Sequence, residues 1–552
     1  MDDSANDADR AQALADRFWE ELLEREPVFA TAIGDERYDD RLSDIGEEGR
    51  ALAESRNRAA LDELASIDRE GLDLTMRTTM DVLEAIAIQT LAAIELRSDR
   101  LYVANHFVGP GVLLGDIASI QRTDTPEHLE RYEQRLRAFP EYLNAAAEIA
   151  REGIATGVVS PRTVVERALA QIERVIALPA EEAPPLAAVA EDDTTARERV
   201  AGVWTDVVAP AFAGFLDVLR DYLRHAAESN AVTDLPGGEA IYAAEVRSWT
   251  TLPLDPKEVH DLGNERWETI QAERFEVAAR LGYDDPAAAL AERRASGKDT
   301  PASAEALVEL VEDQVQRSWD IAPKWFGRLP NANCRVREIE AYRAADMALA
   351  FYMPPTADGE RPGTYYINTH DLAGMALHQI PAVTYHEANP GHHFQIALEM
   401  EFEDRPALRR FGGLLAGSSF AEGWGLYSER LADDMGLYTD EWERLGMLAA
   451  QAHRAARLIT DTGLHAFGWT REDAIAKLEA GGSPHGESVT EVDRYIALPA
   501  QALAYMVGMV EIEDARRRTE EKEGAGFDVR AFHDRLLALG QLPLLALRRE
   551  LG

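Results

Sequence analysis

A single cysteine, Cys334, in 552 residues excludes a disulfide within the chain and every zinc module built on cysteine clusters. Lysine is nearly as scarce. Lys257, Lys298, Lys324, Lys477 and Lys522 are the whole set, and arginine supplies the other cations. Positive charge is short overall: 57 Lys and Arg stand against 99 Asp and Glu, a formal net charge of −42. Nucleic-acid binding needs a basic stripe that displaces counter-ions from phosphates. Here the arginines are scattered among carboxylates, as in Arg162–Glu166–Arg167, so nucleic acid is excluded as a partner. No uninterrupted apolar run approaches the roughly 20 residues of a membrane span. The N-terminal MDDSANDADRAQ is acidic and has no apolar core, unlike a secretory leader. The expectation is a cytoplasmic protein with no membrane partner. An acid-covered, arginine-using chain is what a salt-rich cytoplasm favours, because salt screens the mutual repulsion and carboxylates hold water and counter-ions. The composition therefore points to a halophile.

What is abundant is amphipathic helix. Hydrophobic residues make up 46% of the chain, enough for a substantial interior, and they recur at three- and four-residue spacing. Such stretches are Ala11–Glu24, Arg56–Arg97, Pro126–Arg151, Arg197–Glu228 and Val259–Arg280. Asp255-Pro256 and Thr300-Pro301 read as helix starts. The Ala/Pro-rich patch Leu178–Ala190 reads as an exposed connection. Strand-like sequence is confined to Cys334–Ile339, Ala350–Tyr352 and Thr364–Ile367, the last two flanking the turn-rich Pro354–Gly363. The fold class expected is mainly α, a two-lobed helical body with a small sheet or hairpin beside the helix that carries the chemistry. The turn-rich segment Asn230–Gly238 divides it into an N-terminal lobe, 1–235, and a C-terminal lobe, 236–552.

That chemistry is concentrated in His386-Glu387-Ala388-Asn389-Pro390-Gly391-His392-His393. His-Glu opening a helix is half of a metalloprotease pattern whose second histidine follows at four residues, on the same face. Here the fourth position is Pro390 and the next histidine is six residues on. On an unbroken helix that is about 600° of rotation, which turns His392 about 120° away from His386; His393 is nearly in phase but about 10 Å along the axis. Neither shares a cation with His386 unless the helix is deformed. Pro390 clashes with the carbonyl of His386, Asn389 before proline is pushed from the helical region, and Gly391 tolerates backbone angles closed to other residues. A looped-out segment at Asn389–Gly391 would bring His392 beside His386. Tetrahedral zinc takes three protein ligands and leaves one position open. Glu422 in Ser418–Glu429 is the candidate third ligand, with Glu429 two turns on as a competitor. Glu387 then reads as the general base, taking a proton from water as it attacks a carbonyl polarised by the metal.

These residues resemble the DUF885 family, zinc-peptidase-like proteins related to helical metallopeptidases. HEANPGHHFQ (386–395) is similar to one family hallmark and EGWGLYSE (422–429) to another. Further similar segments are PVFATAIGDERYDDRL (27–42), YMPPTADGERPGTYYIN (352–368), DTGLHAFGWTREDAI (461–475) and RYIALPAQALAYMVG (494–508). The resemblance implies one zinc per chain on His386, His392 and Glu422, with Glu387 as catalytic acid/base. It favours His392 over His393, and it places His465 or Tyr505 over the metal to stabilise an oxyanion. Two positions depart from the pattern: Gly425 stands where alanine is more usual, which affects packing, and Ala500 where glycine is more usual, which bears on the turn before Tyr505. The activity implied is amide-bond hydrolysis in peptides, with the hairpin at Tyr352–Asn368 holding an extended substrate.

The remaining polar residues have plainer readings. His393 reads as a packing residue and Cys334 as an inert buried thiol. Arg361 and Arg494 are able to bind a substrate carboxylate, although pairing with Asp358, Glu360, Glu491 and Asp493 is the commoner fate. Two other functional classes share the same residues. A metal-dependent hydrolase of a small-molecule amide or ester differs only in its pocket, and a peptide panel run against an ester panel separates the two. A non-catalytic helical binding protein would bind without turnover, against which the intact Glu387 argues.

Overall fold

The structure is a computed structural model and describes residues 3–339, 344, 348–355 and 361–552. It is mainly α-helical, with one small three-stranded sheet. Two compact units form. The first is Met1–Glu245 with Leu464–Arg471 and Thr490–Pro499; the second is Val246–Gly463 with Glu472–Val489 and Ala500–Gly552. By contact, the segments 464–471 and 490–499, which lie beyond the expected division at residue 235, join the first unit. Tertiary contact, not chain order, decides where they belong.

In the first unit the long periodic stretches are broken where proline or a capping residue intervenes. Arg56–Arg97 becomes the ends of two helices, Glu47–Leu64 and Leu74–Leu96, the second started by the Asp73 carboxylate, which accepts from the Met76 N–H. Pro126–Arg151 is cut into Pro126–Arg137 and Phe139–Thr156, since Pro140 lacks an N–H and crowds the carbonyl of Leu136. Pro210 has a milder effect: a π-helical turn at Trp204–Val208 joins Thr194–Val203 to Ala209–Leu223 without a break. This helix, Thr194–Leu223, is long and apolar enough to cross a membrane by length and composition. Its apolar face, with Phe212, Phe215, Leu216 and Leu219, instead belongs to the unit's core beside Tyr132, Phe139 and Tyr222. Leu178–Ala190 is not a purely exposed connection. It folds as two 3-10 turns, Ala180–Glu182 and Pro184–Ala188, and buries Ala183, Leu186 and Val189 in the same core.

The second unit holds the sheet, in the order β1 (Arg335–Glu338), β3 (Thr364–Ile367), β2 (Ala350–Met353). β1 runs parallel to β3 and β2 antiparallel to it, with Tyr352 opposite Tyr365. The central strand is buried throughout, as its Thr-Tyr-Tyr-Ile sequence requires. It shares a core with Leu307, Val311 and Val315 of helix Ala304–Ile321 and with Ile380 and Ala388 at the two ends of the His-Glu helix. Helices Ser419–Asp434 and Ala504–Glu523 meet at Gly423 and Gly508, where a methyl group on Gly423 would sit 2.3 Å from the Gly508 carbonyl carbon. Glu422, one residue earlier, is thereby carried on a tightly seated helix.

Candidate metal centre

The His-Glu helix, Ile380–Glu387, stops where Pro390 requires it to, and a second helix, His392–Met400, starts directly afterwards. The Asn389–Pro390 bond between them is cis. Gly391 has an ordinary φ of −74°, so its role is not the freedom to adopt unusual φ. It is needed because a Cβ there would lie 1.8 Å from the His386 carbonyl oxygen. The break is held from both sides. The indole N–H of Trp424 donates to the carbonyls of Pro390 and Gly391, each at 3.0 Å. The Asn389 amide donates to Asn333 Oδ1 at 2.7 Å. The tryptophan of EGW thus fastens the Pro-Gly turn of HEANPGHH, which explains why the two segments occur in one chain.

This geometry brings His386, His392 and Glu422 together, with one ligand atom from each within 4.8 Å of the others. Glu422 Oε2 lies 3.5 Å from His386 Nε2 and 3.9 Å from His392 Nε2, and the two imidazoles meet edge to face at 4.7 Å. Glu429 is not a competing ligand. Its Oε1 sits 2.9 Å from His386 Nδ1, leaving Nε2 to face Glu422. Gln451 holds the other oxygen of Glu429, donating at 3.1 Å, and also donates to the Leu426 carbonyl. Carboxylate–histidine support of this kind fixes the tautomer and orientation of a metal ligand. Gly425 is more than a packing detail, because a methyl group there would lie 2.6 Å from the His386 ring, forcing the ring or the helix to shift.

Charge is concentrated at the cluster. Burial alone would disfavour a charge on His386, yet Glu422 and Glu429 at its two nitrogens outweigh it and pull the pKa up to about 10. Burial and the neighbouring His386 push His392 down to about 4. Burial would raise Glu422, but its hydrogen bond to His386, with the charges of His392, His386 and Arg457, holds it down at about 2. Two imidazoles and a carboxylate converging on one point, braced by a second carboxylate, are a donor set suited to zinc.

Glu387 lies beside the cluster. Burial, with the charge of Glu422, moves its carboxyl up to about 7 against the opposing charges of His386 and Arg454, and it accepts a hydrogen bond from the Tyr352 backbone. His393 takes no part as a ligand: Nε2–H donates to the Ala332 carbonyl at 2.8 Å, and Nδ1 accepts from the Tyr352 hydroxyl at 3.0 Å. Tyr505, half-buried on helix Ala504–Glu523, carries the Arg457 guanidinium over its ring at 4.5 Å. Through Arg457, whose charge acts on Glu422, Tyr505 is tied to the surroundings of the cluster.

His465 is placed otherwise. It is fully buried in the first unit, where Nδ1 accepts from the Val232 N–H at 3.3 Å and Nε2 faces the Tyr495 carbonyl at 3.0 Å. Both nitrogens are taken by backbone, which leaves no donor for an oxyanion. Arg494 pairs with Glu491 at 3.5 Å, and Arg361 donates to the Pro354 carbonyl. Cys334 is buried, and burial raises its thiol. Ala500 adopts a positive φ of 67°, the conformation glycine would take without strain, and Asp461 accepts from its N–H. Sequence reasoning missed the supporting role of Gln451 and the two cations Arg454 and Arg457. The only available signal was their spacing on the helix Glu441–Ala466.

Fold and site together define a helical protein with a His-His-Glu cluster at a proline-broken helix. The chain belongs to the DUF885 family, described as bacterial proteins of unknown function, which it matches over residues 27–551. Its fold is that of a candidate lipoprotein from Colwellia psychrerythraea, with a TM-score of 0.91 and 24% identity over 99% of this chain and 98% of that one. A candidate lipoprotein of unknown function from Shewanella oneidensis is also similar, with a TM-score of 0.76 and 18% identity over 97% and 98%. No curated protein matches the chain.

Proposed function

We propose that the protein is a metallohydrolase, a peptidase that holds one zinc ion on His386, His392 and Glu422 and uses Glu387 as general base. The observation that carries this reading is the convergence of those three ligand atoms within 4.8 Å beside a carboxyl group raised by burial. When bound, zinc supplies Lewis-acid polarisation and brings water into the range where it ionises near neutral pH. The residues of the chain do the rest. Glu429 and Gln451 hold the His386 ring in register. Glu387, oriented by the Tyr352 N–H, takes the proton from the attacking water and returns it to the leaving amine. Among the described residues β2 has a strand partner on one side only, β3, and its outer edge would align an extended peptide. Tyr505 is the hydroxyl group left to steady the developing oxyanion. On this reading the two compact units are the lobes of a metallopeptidase-like body.

The test is Glu387→Gln, assayed on matched peptide and ester panels. Peptide hydrolysis should fall by at least about 100-fold while zinc content stays at wild-type level. Undiminished hydrolysis in the variant removes Glu387 from the mechanism. Turnover of esters alone moves the assignment to a small-molecule hydrolase, and stoichiometric binding without turnover moves it to a binding protein.

A further inference from the structure

Many of the chain's arginines pair with carboxylates. Arg97, Arg162, Arg220, Arg430, Arg444, Arg471, Arg516 and Arg548 all sit against carboxylates within 3.2 Å. Arg454 does not. Among the described residues it has no ion pair or hydrogen bond, and its Nε is buried without a partner. It stands three residues before Arg457 on the helix Glu441–Ala466, a spacing that puts both on one face. The two charges act on the functional carboxylates, Arg454 on Glu387 and Arg457 on Glu422. Arg457 is also seated on an aromatic shelf, its guanidinium 4.5 Å from the centre of the Tyr505 ring. In a protein of net charge −42, these two guanidinium groups put positive charge beside the carboxylates of the cluster.

We infer that Arg454, seconded by Arg457, is the anchor for a carboxylate of the substrate, so that the enzyme acts on short peptides with a free C-terminus. This rests on the peptidase reading above. An unpaired, half-buried guanidinium is matched by a planar anion that takes two parallel N–H···O bonds. Fixed near Glu387, it sets how far the scissile bond lies from the chain end and makes the cleavage C-terminal. The bulk negative field of the protein would repel such substrates. The pair supplies the local reversal of sign that lets an anionic peptide end enter.

The experiment uses the full chain as Glu387→Gln, loaded with zinc so that ligands bind without turnover. Equilibrium binding of N-acetylated tripeptide mixtures is compared for free acids and for C-terminal amides. Free acids should bind about tenfold tighter or more, and Arg454→Gln in the same background should erase the difference while zinc content is unchanged. Equal binding of acids and amides, no binding of either, or a preference that survives both Arg454→Gln and Arg457→Gln would overturn the inference. If Arg454 only tunes Glu387, Arg454→Gln in the otherwise wild-type enzyme lowers turnover of acids and amides alike, which also overturns it. Wild-type enzyme that cleaves amides as readily as acids sinks this inference and leaves the peptidase reading standing. Acid-selective binding with no hydrolysis by wild type removes the peptidase reading and leaves only the carboxylate-anchoring role of Arg454.

Discussion

Two buried polar clusters, one in each unit, make an instructive pair. In the first unit Arg135 is fully buried, and each of its nitrogens has an acceptor. Nε donates to the Arg41 carbonyl at 3.0 Å, and Nη1 to Gln121 Oε1 at 2.6 Å. Nη2 donates to Thr31 Oγ1 at 2.9 Å and to the Tyr38 carbonyl at 2.7 Å, while Thr31 in turn donates to the buried Asp39. Most of these acceptors come from the segment 27–42, so that N-terminal signature wraps a guanidinium and is architectural. In the second unit His386 is braced on one nitrogen only, and its other nitrogen faces Glu422 and His392. A saturated cluster is a staple. A cluster whose donors are braced from behind and converge in front has the form that the proposed metal site requires.

If that distinction holds, the two clusters fail differently when cut. The largest effect expected is on metal content. His386→Ala or Glu422→Ala should reduce zinc from about one per chain to background, measured by elemental analysis, with the far-UV spectrum unchanged. Zinc retained at full stoichiometry in both would show that the convergence is not a metal site. Arg135→Met should do the opposite, destabilising the first unit to urea by about 3–5 kcal/mol by stranding Asp39 and the surrounding acceptors, with zinc content intact. A loss below 1 kcal/mol would mean the network is not the staple its hydrogen bonds suggest.

A third test uses pH. Burial holds His465 neutral, with its pKa moved down to about 4 in the folded chain, against about 6.5 when unfolded. The unfolded chain therefore binds the proton first as pH falls. The stability that His465 contributes is complete above pH 6.5 and is lost progressively toward pH 4, up to roughly 3 kcal/mol. His465→Gln should flatten this part of the urea-stability profile relative to wild type, and an unchanged slope would contradict the buried neutral ring. The smallest expected effect is at the brace. Glu429→Gln keeps all three ligands, yet should weaken zinc affinity by about 10- to 100-fold, as measured by chelator competition. Unaltered affinity would reduce Glu429 to a packing role.

The sequence marked the His-His-Glu cluster because its signal is local. His386, Glu387, Pro390 and His392 lie within seven residues, and helical geometry alone demands a break there for the histidines to meet. The three strands were also readable, because Ala350–Met353 and Thr364–Ile367 are short, β-prone and set off by turns. His465 illustrates the converse. It lies in a C-terminal segment that resembles the family, but its hydrogen-bond partners Val232 and Tyr495 are 233 and 30 residues away, and no local pattern announces them. The contact units show the same thing, since 464–471 and 490–499 join the first unit by packing that no local pattern announces.

What the sequence determined by itself was helical content, the small sheet, the interruption at Pro390 and the side chains that converge there, His386, His392 and Glu422. Each of these follows from propensity, proline chemistry or spacing along a few turns. Tertiary structure alone decided that Trp424 would fasten the Pro-Gly turn and that Glu429 would brace His386 Nδ1. It likewise left Arg454 without a carboxylate partner among the described residues, its Nε buried without a hydrogen bond. Those outcomes depend on which distant groups reach a buried atom first, and a buried polar atom is satisfied by geometry in space, not by its neighbours in the chain.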